Sequence, residues 1–244
     1  MSKQQARIVI VVLGPPGAGK GTQSDMLAGR LRIPHISISS LLRSYARDKS
    51  EGGSRLSGTM ASGDLAPESL VLEVVATRIS ELGCAKGLIL DGFPRTLRQA
   101  EFLEGSLSTP LCSNSERGRL VALYLRVQHR TIVQRVSGRR ICSRCGATYH
   151  IDSQPPGVNG ECDVDGSPLT IREDDRRATV LKRLQLYELQ TVPILSHYAA
   201  KASLLEIDGE QSRETIAQEI ATAIHGMPAC PTHGMSSQVW KTVL

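Results

Sequence analysis

The sequence predicts an α/β protein organised on a doubly wound, parallel sheet of five strands. The first observation behind this is the run Ile8–Leu13, six consecutive apolar residues that stop at Gly14-Pro15-Pro16-Gly17. A strand apolar at every position is buried on both faces, the condition of a parallel sheet covered by helices. A second apolar run, Gly87–Leu90, ends on a carboxylate, Asp91, and the C-terminal edge of such a sheet is where ligand-binding groups gather. Third, these and further strand-like segments alternate with stretches of helical periodicity, the alternation that marks an α/β fold.

The turn after Leu13 leads into a helix with Met26, Leu27 and Leu31 on its inner face. Ile33–Ser37 is a short second strand in which His35 reads as an ordinary strand histidine. Ser39-Ser40 ahead of Leu41, Leu42 and Arg43 is a good helix start, because a serine hydroxyl satisfies the first free amides. Residues 51–63 are polar and glycine-rich; the next helical pattern opens at Gly63–Glu68 and runs through Val71, Leu72, Val75 and Ile79. Leu120–Val127 is the fourth strand, followed by a helix with Ile132, Val133 and Val136 apolar and Arg135, Gly138, Arg139 and Arg140 at its end. One long helix is predicted from Asp175 to about Ala200, a fifth strand at Leu204–Gly209 and a last helix over 212–224. The polar stretch 109–118 reads as a surface insertion without chemistry. The tail 226–244, which carries the only tryptophan, Trp240, reads as loose, and its ending Thr242-Val243-Leu244 suits a PDZ groove.

A chain of 244 residues, 40% hydrophobic and 22% charged, buries a substantial core as one domain with insertions. The formal charge of +5 comes from Lys and Arg spread along the chain, and only 3% of residues are aromatic, so stacking platforms for nucleic acid are few and small anionic substrates account for the excess. No apolar run approaches the roughly 18 residues of a membrane span. Met1–Arg7 is too short for a signal peptide, so a cytoplasmic protein is expected, with the mitochondrial intermembrane space also compatible. Cys142, Cys145 and Cys162 cluster while Cys84, Cys112 and Cys230 are scattered, a distribution that points to a metal site rather than a disulfide framework.

Three motifs carry chemistry. Gly14, Gly19 and Lys20 match the phosphate-binding pattern G-x-x-x-x-G-K-[ST], except that Gly21 stands in the hydroxyl position and Thr22 follows one later. Glycines let backbone amides converge on phosphate oxygens, the helix N-terminus adds partial positive charge, and Lys20 adds a full one. The second motif is Asp91-Gly92-Phe93-Pro94-Arg95-Thr96 at the end of the second apolar run. The third is Cys142-x-x-Cys145 and Cys162-x-x-Asp165, separated by 16 residues, a spacing that suits tetrahedral zinc with one carboxylate ligand and no open position, hence a structural ion. His150 is a rival fourth ligand whose spacing is wrong for the second knuckle.

Together these motifs resemble those of nucleoside monophosphate kinases, above all adenylate kinases with a long zinc-binding lid, over about residues 7 to 225. The resemblance implies a P-loop kinase core (7–37, 69–137 and 174–225), an inserted helical acceptor lobe (38–68), a zinc lid (138–173) and a tail (226–244). It implies donor contacts from Gly17, Ala18, Gly19, Lys20, Gly21, Thr22, Arg135, Arg139, Thr148, Tyr149 and Gln211 to Mg-ATP. It places Ile38, Arg43, Asp64, Leu65, Ala66, Gly92, Phe93, Pro94, Arg95, Gln99, Arg172 and Arg183 around AMP. Lys20, Asp91, Arg95, Arg139, Arg172 and Arg183 would serve catalysis, Asp91 by orienting water on magnesium. The ligands Cys142, Cys145, Cys162 and Asp165 would hold the structural zinc.

The implied reaction is reversible phosphoryl transfer from Mg-ATP to AMP giving two ADP, carried out by a monomer in adenine nucleotide homeostasis. One departure bears on it: Ile38-Ser39-Ser40 replaces the family's usual Thr-Gly-Asp, which leaves open a kinase that uses GTP or another acceptor. A GTPase switch would want a hydroxyl directly after Lys20 and a Lys-x-Asp reader, and neither is present. The reading from a different class is a non-catalytic, nucleotide-binding zinc-ribbon protein.

Overall fold

The computed structural model describes residues 8–47, 50–82, 87–107 and 119–226. The predicted strands form one five-stranded sheet: β1 (Ile8–Leu13), β2 (His35–Ser37), β3 (Gly87–Asp91), β4 (Arg119–Arg126) and, last in the chain, β8 (Leu204–Asp208). Their order is β2-β3-β1-β4-β8 and every pairing is parallel. Side chains of a strand alternate between faces, and each face here has its own core. Val9, Val11 and Leu13 pack with Val75, Ala100, Ile194 and Tyr198 on one side, while Ile10 and Val12 pack with Leu27, Ile132, Val180 and Ile220 on the other. That two-sided burial is why β1 is apolar throughout.

The helices α1 (Lys20–Leu31), α2 (Ile38–Ala46), α4 (Glu68–Leu82), α6 (His129–Ser137) and α9 (Arg213–Gly226) lie where the sequence puts them, and α5 (Leu97–Leu107) follows the Asp91–Thr96 motif. Between α2 and α4 the glycine-rich stretch holds a further helix, α3 (Glu51–Ala61). Its glycines cost roughly 1 kcal/mol each relative to alanine. Tertiary contact offsets this: Leu56 is buried and the Ser50 hydroxyl accepts the Gly53 amide at 3.1 Å. Composition hid this helix because its stability comes from the face it buries.

The predicted long helix is interrupted. A 3-10 turn (Glu173–Asp175) precedes α7 (Arg177–Leu186), a π turn spans Tyr187–Thr191, and α8 (Val192–Ala200) follows. Pro193 has no amide hydrogen to continue the ladder. The chain widens just before it, with the Val192 amide reaching back five residues to the Tyr187 carbonyl.

Between α6 and the 3-10 turn, β5 (Arg139–Cys142), β6 (Thr148–His150) and β7 (Leu169–Thr170) form a small antiparallel sheet ordered β6-β5-β7. Its only buried cluster is Cys142, Tyr149 and Cys162, flanked by Ala147 and Leu169. Cys84, Cys112, Cys230, the 109–118 insertion and the tail from residue 227, with Trp240 and the Thr242–Leu244 ending, lie outside the described residues. No helix among the described residues is long and apolar enough to cross a membrane.

Candidate active site

The parallel register brings Leu13, Ser37 and Asp91 to one edge of the sheet, so the loops that follow β1 and β3 open into a common cleft. The first loop must be glycine at position 17: the residue has φ +83° and a Cβ there would lie 2.7 Å from Val136 Cγ2. α1 starts at Lys20 with no side-chain cap on its first turn and no acidic residue in it, which leaves its amides and positive pole to an anion.

Lys20 Nζ donates to the Gly14 carbonyl at 2.8 Å and the Pro15 carbonyl at 2.9 Å. Burial pushes its pKa down to about 7; Asp91 opposes the shift, while Arg95, Arg183 and Arg139 reinforce it. A polyphosphate beside it would restore the charge. Binding of a nucleoside triphosphate at about pH 8 is therefore expected to take up close to one proton. Calorimetry in buffers of different ionisation enthalpy reads this directly, and the uptake should vanish in Lys20→Met. A binding enthalpy indifferent to the buffer would refute the assignment.

Asp91 closes β3 and is buried. Its Oδ2 lies 3.5 Å from where a Cβ on residue 21 would stand. The carboxylate thus reaches the space that a side chain at position 21 would claim, so Gly21 and Asp91 are read together. His35 is more involved than an ordinary strand histidine. Its Nδ1 is 2.7 Å from Asp25 Oδ1 and its Nε2 is 3.8 Å from Asp91 Oδ2. Burial disfavours charge on the ring, yet the nearby Asp91 carboxylate and the hydrogen bond to Asp25 outweigh it and the imidazole pKa lies above its usual value.

Arginines crowd the opposite wall. Arg95 follows β3, Arg43 projects from α2 and Arg183 from α7, and all three line the cleft with Lys20. Arg183 Nη1 donates to Asp174 at 3.0 Å, Arg43 Nη2 stands 3.8 Å from the same carboxylate, and Arg139 forms a two-pronged pair with Asp175. Burial lowers the pKa of Arg95 to about 10, helped by Arg183, and that of Arg172 to about 10, helped by Arg43 and Arg139. Arg172 Nε is buried without a partner. Three carboxylates, Asp91, Asp174 and Asp175, face Lys20 and the five arginines, so the pocket carries uncompensated positive charge that a polyanion would relieve.

In the small sheet, ligand atoms of Cys142, Cys145, Cys162 and Asp165 all lie within 4.8 Å of one another. Cys145 Sγ and Cys162 Sγ are 3.5 Å apart, and Cys142 Sγ is 3.4 Å from Asp165 Oδ1. Tetrahedral zinc with bonds of about 2.3 Å sets its sulfurs roughly 3.8 Å apart, so the donor set fits. The amides of Cys145 and Ala147 point at Cys142 and Cys145 sulfurs, as they would at thiolates. His150 is elsewhere, packed on Gly138 with Nδ1 accepting the amides of Asp152 and Ser153.

A family model described as adenylate kinase matches residues 12–203. This chain belongs to the adenylate kinase family. It is 42% identical over 207 residues to an adenylate kinase of Lachnospira eligens, covering 85% of this chain and 95% of the relative. Adenylate kinases of Clostridium acetobutylicum and Caldicellulosiruptor bescii are each 41% identical to it, over 88% of this chain and 98% of theirs.

For an adenylate kinase, the predicted site residues fall into three groups. Lys20, Arg43, Asp64, Leu65, Ala66, Gly92, Pro94, Arg95 and Arg183 face the main cleft. Arg172 lines a second cavity that it shares with Arg43 and Arg47. Others lie apart: Ile38 and Phe93 are buried in the core, and Ser39 rather than Ile38 reaches the cleft. Gln99 is buried with its carboxamide oxygen on the Arg95 amide at 2.8 Å. Arg135 donates to the Gly209 carbonyl at 2.8 Å, and Gln211 to Glu219 at 2.9 Å. Tyr149 lies in the core of the small sheet with its hydroxyl accepting the Asp163 amide, beside exposed Thr148. Sequence reasoning missed Asp175, His35 and Thr191, whose partners Arg139, Asp91 and Arg95 are far away in the chain, and Tyr187, which lines the cleft.

Proposed function

We propose that this adenylate kinase transfers the terminal phosphoryl group of Mg-ATP to AMP, reversibly, giving two ADP. The observation that carries the reading is the convergence of Lys20, Arg43, Arg95 and Arg183 on one cleft beside an uncapped helix N-terminus. Phosphoryl transfer asks little covalent work of a protein; it asks for alignment and for compensation of charge spreading over the equatorial oxygens. The loop amides and Lys20 hold the donor phosphates, Arg43, Arg95 and Arg172 the acceptor phosphate, and Arg139 and Arg183 join Arg95 around the group in flight. Magnesium bound with ATP would supply further charge neutralisation, with Asp91 as the group that would orient its water. Residues 38–68 act as the acceptor lobe and 138–173 as a lid stiffened by structural zinc. Closure of the two excludes water, a competing acceptor. We place this enzyme in the cytoplasm as a monomer acting on free nucleotides, with no nucleic acid or membrane partner.

A panel of ATP, GTP, CTP and UTP against AMP, CMP, GMP and UMP tests the proposal. ATP with AMP is expected to give the highest kcat/KM. One observation favours a broader second reading: Ile38 brings no hydroxyl to the acceptor side, and Ser39 faces the cleft instead. A donor other than ATP or an acceptor other than AMP coming first would establish that reading, and no ADP from any pair would leave a nucleotide-binding protein without catalysis.

A further inference from the structure

We propose that Thr191 is a positioning residue for Arg95, and that the π turn exists to present it. Both backbone polar groups of Arg95 are engaged by side chains. Its amide donates to Gln99 Oε1 at 2.8 Å, and its carbonyl accepts the Thr191 hydroxyl at 3.2 Å. Gln99 belongs to the helix that Arg95 itself precedes, whereas Thr191 comes from the far end of the chain. The Arg95 guanidinium is held in turn by its own loop, Nε donating to the Gly92 carbonyl at 2.9 Å. The peptide plane at Arg95 therefore sets the direction from which that side chain enters the cleft, and Thr191 is the contact that ties this plane to another element.

That element is the π turn, which continues α7, the helix that bears Arg183. The π turn follows α7 directly, and Leu186, Tyr187 and Thr191 all line the cleft beside Arg95 and Arg183. The wider turn carries a functional consequence, since an insertion of this kind re-aims the side chains that follow it, and such turns recur at functional sites. Thr191 is itself buried at 7% exposure, so its hydroxyl has little water to turn to. The result is a direct tie between the helix carrying Arg183 and the loop carrying Arg95, two arginines that must meet one phosphoryl group from different sides. A displacement of about 1 Å in such a group is enough to cost much of the rate.

The inference rests on the reading that Arg95 engages the acceptor phosphate, so Arg95→Ala serves as the reference variant. The decisive pair is Thr191→Ser and Thr191→Ala, which differ from each other by one hydroxyl oxygen, with Thr191→Val as an isosteric third. In the full-length enzyme, Thr191→Ser should match wild type. Thr191→Ala should raise KM for AMP by roughly fivefold and lower kcat as well, the scale of one lost hydrogen bond. KM for ATP should stay within about twofold and the melting temperature within a few degrees. AMP affinity by calorimetry should weaken in parallel. Equal behaviour of the Ser and Ala variants in AMP affinity, KM and kcat overturns the proposal, as does a loss confined to melting temperature. If Arg95→Ala leaves AMP binding and turnover intact, the reading of Arg95 falls and this inference falls with it; if Arg95→Ala is impaired and the Thr191 pair is identical, only the inference falls.

Discussion

Lys20→Met is expected to lower kcat by about 10³-fold or more, and Arg95→Ala by a similar factor, with the fold intact. Lys20 sits among groups that all need a compensating anion. Burial has already pushed its pKa down to about 7 and that of Arg95 to about 10, so neither cation is solvated as it would be in water. In a dry site, a charge aimed at the transferring phosphoryl group is worth far more than one at the surface. A factor of 10³ corresponds to about 4 kcal/mol of transition-state stabilisation. Stability should not suffer, because removing one member of a crowded set of like charges relieves repulsion. Methionine also keeps the bulk of the Lys20 stem where it packs within the loop. Steady-state kinetics and thermal melting decide the matter: either variant keeping more than about a tenth of wild-type turnover would contradict the phosphate-clamp assignment.

The second large effect concerns the lid. Its only buried cluster is Cys142, Tyr149 and Cys162, too small to hold three short strands together by burial alone. Four ligand atoms brought within 4.8 Å of one another would supply the missing cross-link through a bound zinc ion. Cys142→Ser is therefore expected to abolish stoichiometric zinc in metal analysis and to lower the melting temperature by several degrees or more, at about 2 to 4 °C per kcal/mol for a domain of this size. Turnover at low temperature should remain comparable with wild type, because four protein ligands would fill a zinc tetrahedron and leave no position for substrate. Since thiolates must be deprotonated to bind, acid and strong chelators should release the ion from wild type. Zinc absent from carefully purified wild type, or a variant that melts normally yet is inactive, would exclude a structural role.

The glycine loop, the Asp91–Thr96 motif and the paired knuckles were legible because each is local: a few residues in fixed spacing that only one kind of backbone or ligand satisfies. The β1 run was legible for a related reason, since burial on both sheet faces forces apolar residues at every position. The α3 helix was not. Gly52, Gly53 and Gly58 argue against a helix, and only the burial of Leu56 and the Ser50 cap reveal why it forms. Nor was the π turn, because Pro193 announces a break without saying whether the chain kinks, ends or widens.

The sequence by itself determined the doubly wound α/β fold and singled out Lys20, Asp91 and Arg95 as candidates for one site. It did so through the alternation of strand and helix patterns along the chain and through local motifs, where backbone geometry and residue type are tightly linked. Tertiary structure alone decided what those residues touch. His35 meets Asp91 only because β2 pairs with β3. Ile38 turns into the core and Ser39 into the cleft because the chain passes at once from strand to helix. Thr191 reaches Arg95 across 96 positions. Contacts of that range depend on how whole elements dock, and no periodicity in the chain records them.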